Sequence, residues 1–166
     1  MRAIDVRDLL DHPGGSKAVH LDEPVRGLHT EMADVPEDQR LSGDLLLESV
    51  VEGILVSGNV AGRYTMRCAR CLKAFRSDFD LAMEELFVRE AGPEDDYALA
   101  DDLTLDPEPL VRDAVLLEIP FSPLCRPDCR GLCPECGGDR NLGECPGHRT
   151  VDPRWSALEG LFDAPT

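Results

Sequence analysis

Aromatic side chains are scarce in this sequence: one Trp, two Tyr and five Phe make up 5% of the chain. A core built from it must rest on aliphatic packing, and a loop-rich chain of this kind gains from external staples. Lysine is scarcer, with Lys17 and Lys73 against fifteen arginines, and base as a whole is in deficit: 17 Lys and Arg face 33 Asp and Glu, a formal net charge of −16. General affinity for nucleic acid is disfavoured on that count, because backbone binding needs Lys and Arg to displace counterions from phosphates. No run approaches the roughly 18 apolar residues of a membrane span. Met1 to Leu10 carries alternating charges where a signal peptide has an apolar stretch. A soluble cytoplasmic protein with no membrane partner is expected. Catalytic signatures are missing as well. The chain has no Gly-rich phosphate loop, no G-x-S-x-G elbow and no H-E-x-x-H, and its carboxylates show no pairing pattern, so neither an enzyme nor a small-molecule substrate is expected.

What the chain does have is seven cysteines. The count is odd and the expected compartment is reducing, so a disulfide framework is disfavoured and metal or redox chemistry remains. Cys125-x3-Cys129-x3-Cys133-x2-Cys136-x8-Cys145-x2-His148 places five thiols and an imidazole in one short stretch. A tetrahedral zinc ion needs four such N or S ligands, and a C-x2-C turn supplies two of them. Cys133-Pro134-Glu135-Cys136-Gly137-Gly138 has that shape, its glycines permitting the tight backbone of a zinc knuckle. Cys68 and Cys71 bring the candidates to eight, enough for two complete sites. The preferred partition is Cys133, Cys136, Cys145 and His148 as a local site, with Cys68 and Cys71 joined by Cys125 and Cys129 across the sequence. Two other readings of Cys68 and Cys71 stay open: buried reduced thiols, or a redox pair whose pKa is lowered by Arg67 and Arg70. Closed four-ligand sites leave no place for substrate, so structural rather than catalytic zinc is expected.

The organisation follows from periodicity. Ile4 to Leu10 reads as one short helix or strand, broken by His12-Pro13-Gly14-Gly15. His12, His20 and His29 fall in turn-rich sequence without ligand spacing. Leu41 to Glu52 and Gly53 to Val60 read as two antiparallel strands, with Ser57-Gly58-Asn59 resembling a hairpin connection. Tyr64, Met66 and Cys68 alternate with Arg63, Thr65 and Arg67, and Phe75 to Met83 alternates likewise, so two strands meet at a Cys68–Cys71 turn. The acidic stretch from Ala91 to Asp106 reads as a solvated loop. A helix follows over Pro109 to Ile119, presenting Leu110, Ala114 and Leu117, and a last short helix carries Trp155, Leu158 and Phe162. The fold class is therefore α+β: an antiparallel sheet of four or more strands with a covering helix over residues 1–120, and a zinc-bound cysteine-rich tail over residues 121–166 that cannot fold on apolar burial alone.

Charge is polarised along the chain. Arg63, Arg67, Arg70, Lys73 and Arg76 lie in a segment with no acid, whereas Glu84 to Glu118 is crowded with acids that only Arg89 and Arg112 offset.

Arg67-Cys68-Ala69-Arg70-Cys71-Leu72 with Phe75, and then Leu124-Cys125-Arg126-Pro127-Asp128-Cys129-Arg130-Gly131-Leu132-Cys133-Pro134-Glu135-Cys136-Gly137, resemble the YceD family. The likeness covers the chain from about Leu41 to the C-terminal helix. The final Cys145-x2-His148 departs from the closer Cys pair of many members. Membership implies a part in accumulation of large-subunit ribosomal RNA and in ribosome biogenesis, with no established reaction. Under that resemblance two modes of action are open. Direct RNA contact would use Arg63, Arg67, Arg70, Lys73 and Arg76. Escort of a basic ribosomal protein would use the acids Glu94, Asp95, Asp96, Asp101 and Asp102. A third class is a thiol or zinc redox-responsive regulator, in which oxidation releases zinc.

Overall fold

The computed structural model describes residues 1–148 of the chain. Its elements are β1 (Ile4–Asp5), α1 (Arg7–Leu10), β2 (Ser16–Pro24), β3 (Ala33–Asp34), β4 (Arg40–Ser49), β5 (Gly53–Arg67), β6 (Ala74–Val88), β7 (Thr104–Leu105) and α2 (Glu108–Glu118). The expected helix with Trp155, Leu158 and Phe162 lies outside the described residues.

Period-two patterning builds the sheet. Leu41, Leu45 and Leu47 of β4 are buried while Ser42, Asp44 and Leu46 are exposed, and in β5 Ile54, Val56, Val60, Tyr64 and Met66 turn to the same interior. β5 is the spine. It pairs antiparallel with β6 along its whole length, from Gly53 opposite Val88 to Arg67 opposite Ala74. Its other edge is shared by β4, from Ile54 to Ala61, and by the short β3 at Thr65 and Met66. β2 closes the sheet outside β4. A separate two-stranded pairing joins β1 to β7, drawing the acidic loop back to the N-terminus.

One face of the sheet is covered by α2, whose Leu110, Val111 and Val115 enter the core together with Ile119 just beyond it. The Tyr64 hydroxyl donates to the Val115 carbonyl at 2.9 Å, fixing helix to sheet. The Tyr64 ring stacks on Phe79 with centroids 4.3 Å apart. Gly62 makes that stacking possible: a Cβ there would lie 2.6 Å from Phe79 Cζ and 2.5 Å from Leu41 Cδ2. Mostly antiparallel sheet with two helices, the architecture is α+β as expected.

Several particulars differ from the sequence reading. Ile4 to Leu10 is both strand and helix, divided at Val6, which is fully buried. Ser57-Gly58-Asn59 is not a turn: it lies inside β5, and the hairpin closes at Val50–Glu52 through a Val50 N–H to Gly53 carbonyl bond of 3.0 Å. Gly58 serves close strand approach instead, since a Cβ there would sit 2.1 Å from the Asp44 carbonyl oxygen. The helix buries Val111 and Val115 rather than Leu117, which is 86% exposed. β2 emerges from the turn-rich N-terminal segment and carries His20, hydrogen-bonded to Asp44 at 2.8 Å on the surface. No described helix is long and apolar enough to cross a membrane.

Candidate metal centres

The β5–β6 hairpin ends in a turn built on Cys68 and Cys71. Leu72 N–H donates to the Cys68 carbonyl and Cys68 N–H to the Lys73 carbonyl, both at 2.9 Å, with Leu72 in the left-handed region at φ 60°. Farther along, Cys133 and Cys136 repeat the same turn. Gly137 N–H donates to the Cys133 carbonyl and Cys133 N–H to the Gly138 carbonyl, again at 2.9 Å, with Gly137 at φ 71°. The two C-x2-C segments are thus copies of one backbone device that aims two sulfurs to one side.

Residues 121–148 bring the remaining ligands. Gly131, at φ 71°, lets the chain cross the first turn: a Cβ there would meet the Arg70 carbonyl oxygen at 2.8 Å, and Leu132 N–H donates to that oxygen at 3.0 Å. Cys125 and Cys129 are delivered beside Cys68 and Cys71. Their ligand atoms all lie within 4.8 Å of one another, and so do those of Cys133, Cys136, Cys145 and His148. This is the partition read from the sequence, and both clusters can hold a metal ion. Cys68 and Cys129 sulfurs are 3.8 Å apart and those of Cys71 and Cys125 3.7 Å. An ion with thiolates about 2.3 Å away in tetrahedral array has an edge of about 3.8 Å. The seven thiols are free of disulfides, with Cys68, Cys71, Cys129 and Cys133 buried. Cys68, Cys71 and Cys129, packed by Phe75 and Leu124, form a second apolar cluster, joined to the main core through Phe75.

Each cluster contains one thiol poised to ionise. Burial pushes Cys68 up, but N–H groups of Cys125, Cys71 and Arg70 outweigh it and bring the thiol to about 6. Cys133 receives the N–H groups of Cys136 and Glu135 and falls to about 7. Cys125 is pushed up to about 12 by burial and by its neighbouring thiols. Cys71 and Cys145 also end above the ordinary value: the Lys73 and Gly147 N–H groups, respectively, pull them down, and burial with neighbouring cysteines more than offsets this. His148 Nδ1 lies 3.1 Å from Glu135 Oε2, a carboxylate neighbour of the kind that orients a ligating imidazole.

A polar post, invisible in the spacing of cysteines, stands between the clusters. Asp139 is buried; its Oδ1 accepts both the backbone N–H and the side-chain amide of Asn141 at 2.8 Å. Lys73 Nζ approaches Oδ2 at 2.7 Å, an ion pair without hydrogen-bond alignment. Lys73 and the Asn141 donors hold the Asp139 carboxyl at about 2. Asn141 Oδ1 accepts from Arg130 N–H at 2.8 Å, and its amide reaches Cys129 Sγ at 3.6 Å. The only sequence signal for this post is an Asp-x-Asn pair inside a cysteine-rich stretch.

The basic candidates are largely engaged within the chain. Arg63 pairs with Asp78, Lys73 with Asp139, and Arg70 donates to the Cys129 carbonyl at 2.9 Å. Arg67 and Arg76 remain exposed, with no ion pair among the described residues. On the acidic side Glu94, Asp95, Asp96, Asp101 and Asp102 are all exposed. Asp95 and Asp102 also brace their own loop, accepting from Gly92 N–H and from Thr104.

Comparison with known proteins gives consistent relatives. The family described as "Large ribosomal RNA subunit accumulation protein YceD" matches residues 56–162. An uncharacterized protein of Mycobacterium tuberculosis (strain H37Rv) is 41% identical over 165 residues, covering 93% of this chain and 78% of the relative. An uncharacterized protein of Mycobacterium leprae is 32% identical over 166 residues, covering 96% and 76%. The uncharacterized protein YlbN of Bacillus subtilis is 32% identical over 108 residues, covering 62% and 63%. No solved structure matches the chain at a significant level.

Proposed function

The chain belongs to the YceD family, and from that membership we propose that it is a non-enzymatic, zinc-stapled cytoplasmic factor that assists accumulation of large-subunit ribosomal RNA by escorting a basic ribosomal protein. Zinc suits the two donor sets, four thiolates in one and three thiolates with an imidazole in the other, because both are closed and soft. Cys68, Cys71, Cys125 and Cys129 hold one ion, and Cys133, Cys136, Cys145 and His148 the other. Each ion supplies cross-linking rather than chemistry.

The observation that carries the escort reading is the fate of the cations. Three of the five side chains that would grip RNA are occupied by Asp78, Asp139 and the Cys129 carbonyl, while the acids of the 94–102 loop face solvent. A surface of that sign attracts a basic partner and repels a polyanion. The test is co-purification with basic large-subunit proteins at graded salt. Retention that falls with salt and is lost when Glu94, Asp95, Asp96, Asp101 and Asp102 are neutralised supports the escort. Retention indifferent to those changes refutes it. RNA association abolished by reversing Arg67, Arg70 and Lys73 to Glu transfers the function to the basic strip instead.

A further inference from the structure

The end of α2 exposes apolar side chains that neither the core nor the metal clusters use. Leu117 is 86% exposed and Phe121 is fully exposed, on either side of buried Ile119. With Met32 they line an open slot of about 460 Å³, which Glu31 also borders. Pro120 is common to this slot and to a second depression beside it, floored by Tyr64, Met66 and Phe79 and bordered by Asp78, Asp80 and Glu118. The two adjoin at Pro120 and are taken together as one groove.

Its electrostatics are one-sided. Four carboxylates border the groove and no Lys or Arg lines either depression. Asp78 is answered by Arg63 and Asp80 by the Asn59 amide, but Glu31 and Glu118 have no ion-pair partner among the described residues. Exposed apolar area bounded by polar groups marks a binding surface. The occupant that satisfies both features has apolar anchors for the slot and cations within reach of the carboxylates. A second copy of this chain is disfavoured here, since it would bring Glu31 and Glu118 against themselves on a molecule of net charge −16.

We propose that the groove between the α2 end and β6 docks an amphipathic segment of a partner protein, anchored by aliphatic or aromatic side chains and flanked by Lys or Arg. This rests on the escort reading for the partner's basic character, and it moves the specific grip from the acidic loop to the groove. The loop then contributes long-range attraction, and the groove contributes recognition.

The test titrates the full chain with a labelled synthetic peptide of leucine and lysine at helical spacing, against a control of equal charge with serine for leucine. Leu117→Ser combined with Phe121→Ser is expected to weaken the leucine peptide by roughly tenfold or more, since each anchor loses buried apolar area. Both positions are exposed, so the fold tolerates the change. Glu31→Gln with Glu118→Gln is expected to flatten the salt dependence. Neutralising the five loop acids is expected to leave discrimination between the two peptides intact. Equal binding of both peptides, or binding unaffected by the serine substitutions, overturns the groove; the escort reading then stands or falls on the loop acids alone. A concentration-dependent dimer lost in the serine variant assigns the groove to a second copy. A shift in Trp155 emission in that variant assigns it to the chain's own C-terminal segment. Either result overturns the proposal.

Discussion

Lys73, at the tip of the β5–β6 hairpin, places its ammonium 2.7 Å from a carboxylate oxygen of the buried Asp139. The contact continues through Asn141 to the sulfur of Cys129, so a single line of polar groups runs from the hairpin across the tail and into the first metal cluster. Outer-shell partners of this kind orient ligands, and their loss commonly weakens metal affinity by about 10–100-fold. Asp139→Ala is therefore expected to weaken binding at the Cys68 cluster by that factor, and Asn141→Ala to do the same through loss of its amide on Cys129. Competition with a chromophoric chelator measures it. Lys73→Met, which leaves the Asn141 bonds in place, is expected to cost less; equal losses in all three variants would show that the line acts as one unit, with the Lys73 ion pair as necessary to it as the Asn141 amide.

The twin knuckles make a second prediction. Both put the residue after the second cysteine in the left-handed region, glycine in one and Leu72 in the other. A side chain in that conformation costs about 1–2 kcal/mol. Glycine loses roughly 0.5–1 kcal/mol more entropy on folding, and Leu72 is half exposed, so little packing is lost. Leu72→Gly is expected to stabilise the metal-loaded protein by about 0.5–1 kcal/mol, read as a raised Tm. Gly137→Leu is expected to do the reverse. A destabilised L72G would mean that the leucine side chain contributes packing that outweighs its backbone strain.

Much of this was legible in advance because the signals were local or combinatorial. The Tyr64–Cys68 and Phe75–Met83 alternation marks the hairpin, and eight ligands in two C-x2-C pairs and their companions divide in only a few sensible ways. Gly58 misled for a physical reason: glycine serves both turns and close strand approach, and only the neighbouring backbone at Asp44 tells which. β2 was missed because Ser16 to Pro24 buries little besides Leu21, so its alternation is faint; it is held by its ladder to β4. Asp139 and Asn141 were missed because their role depends on what lies opposite them, Lys73 and Cys129, which are far away in sequence. The basic strip was correctly seen as a run of cations, but pairing with Asp78 and Asp139 is again non-local.

The thiols give a pH dependence in the metal-free protein. Cys68 and Cys133, at about 6 and about 7, lie below the roughly 8.5 of a free thiol. A folded-state value below the unfolded one means that the fold favours the ionised form. That stability is fully present above the unfolded value and is lost as pH falls through the folded one. Cys71, Cys125 and Cys145 are raised, so their contribution is lost in the opposite direction, as pH climbs past the unfolded value. Thermal melts under chelator and reductant should therefore show stability rising from about pH 6 to about pH 8.5 and falling beyond it. A flat profile over this range would mean that the clusters lose their geometry without metal.

Metal content tests the architecture itself. Two ions per chain are expected, and Cys145→Ser is expected to halve that number, because its cluster takes all four ligands from residues 133–148 and leaves the Cys68 cluster complete. Cys129→Ser attacks the other cluster, which ties residues 121–148 to the hairpin by joining Cys125 and Cys129 to Cys68 and Cys71. A structural zinc contributes on the order of 10 kcal/mol to a small site, whereas the buried residues of the main apolar core are distinct from those of the cysteine cluster and only the half-buried Phe75 packs against both. Cys129→Ser, or chelation of both ions, is thus expected to expose the tail amides to hydrogen exchange while β4, β5 and β6 stay protected. Elemental analysis beside exchange on the two cysteine variants separates the possibilities. Loss of both ions from either variant would make the clusters one cooperative unit, with the Asp139–Asn141 post as the coupling between them. Loss of protection in the strands as well would make the cysteine-rich tail a condition for the sheet rather than an appendage to it.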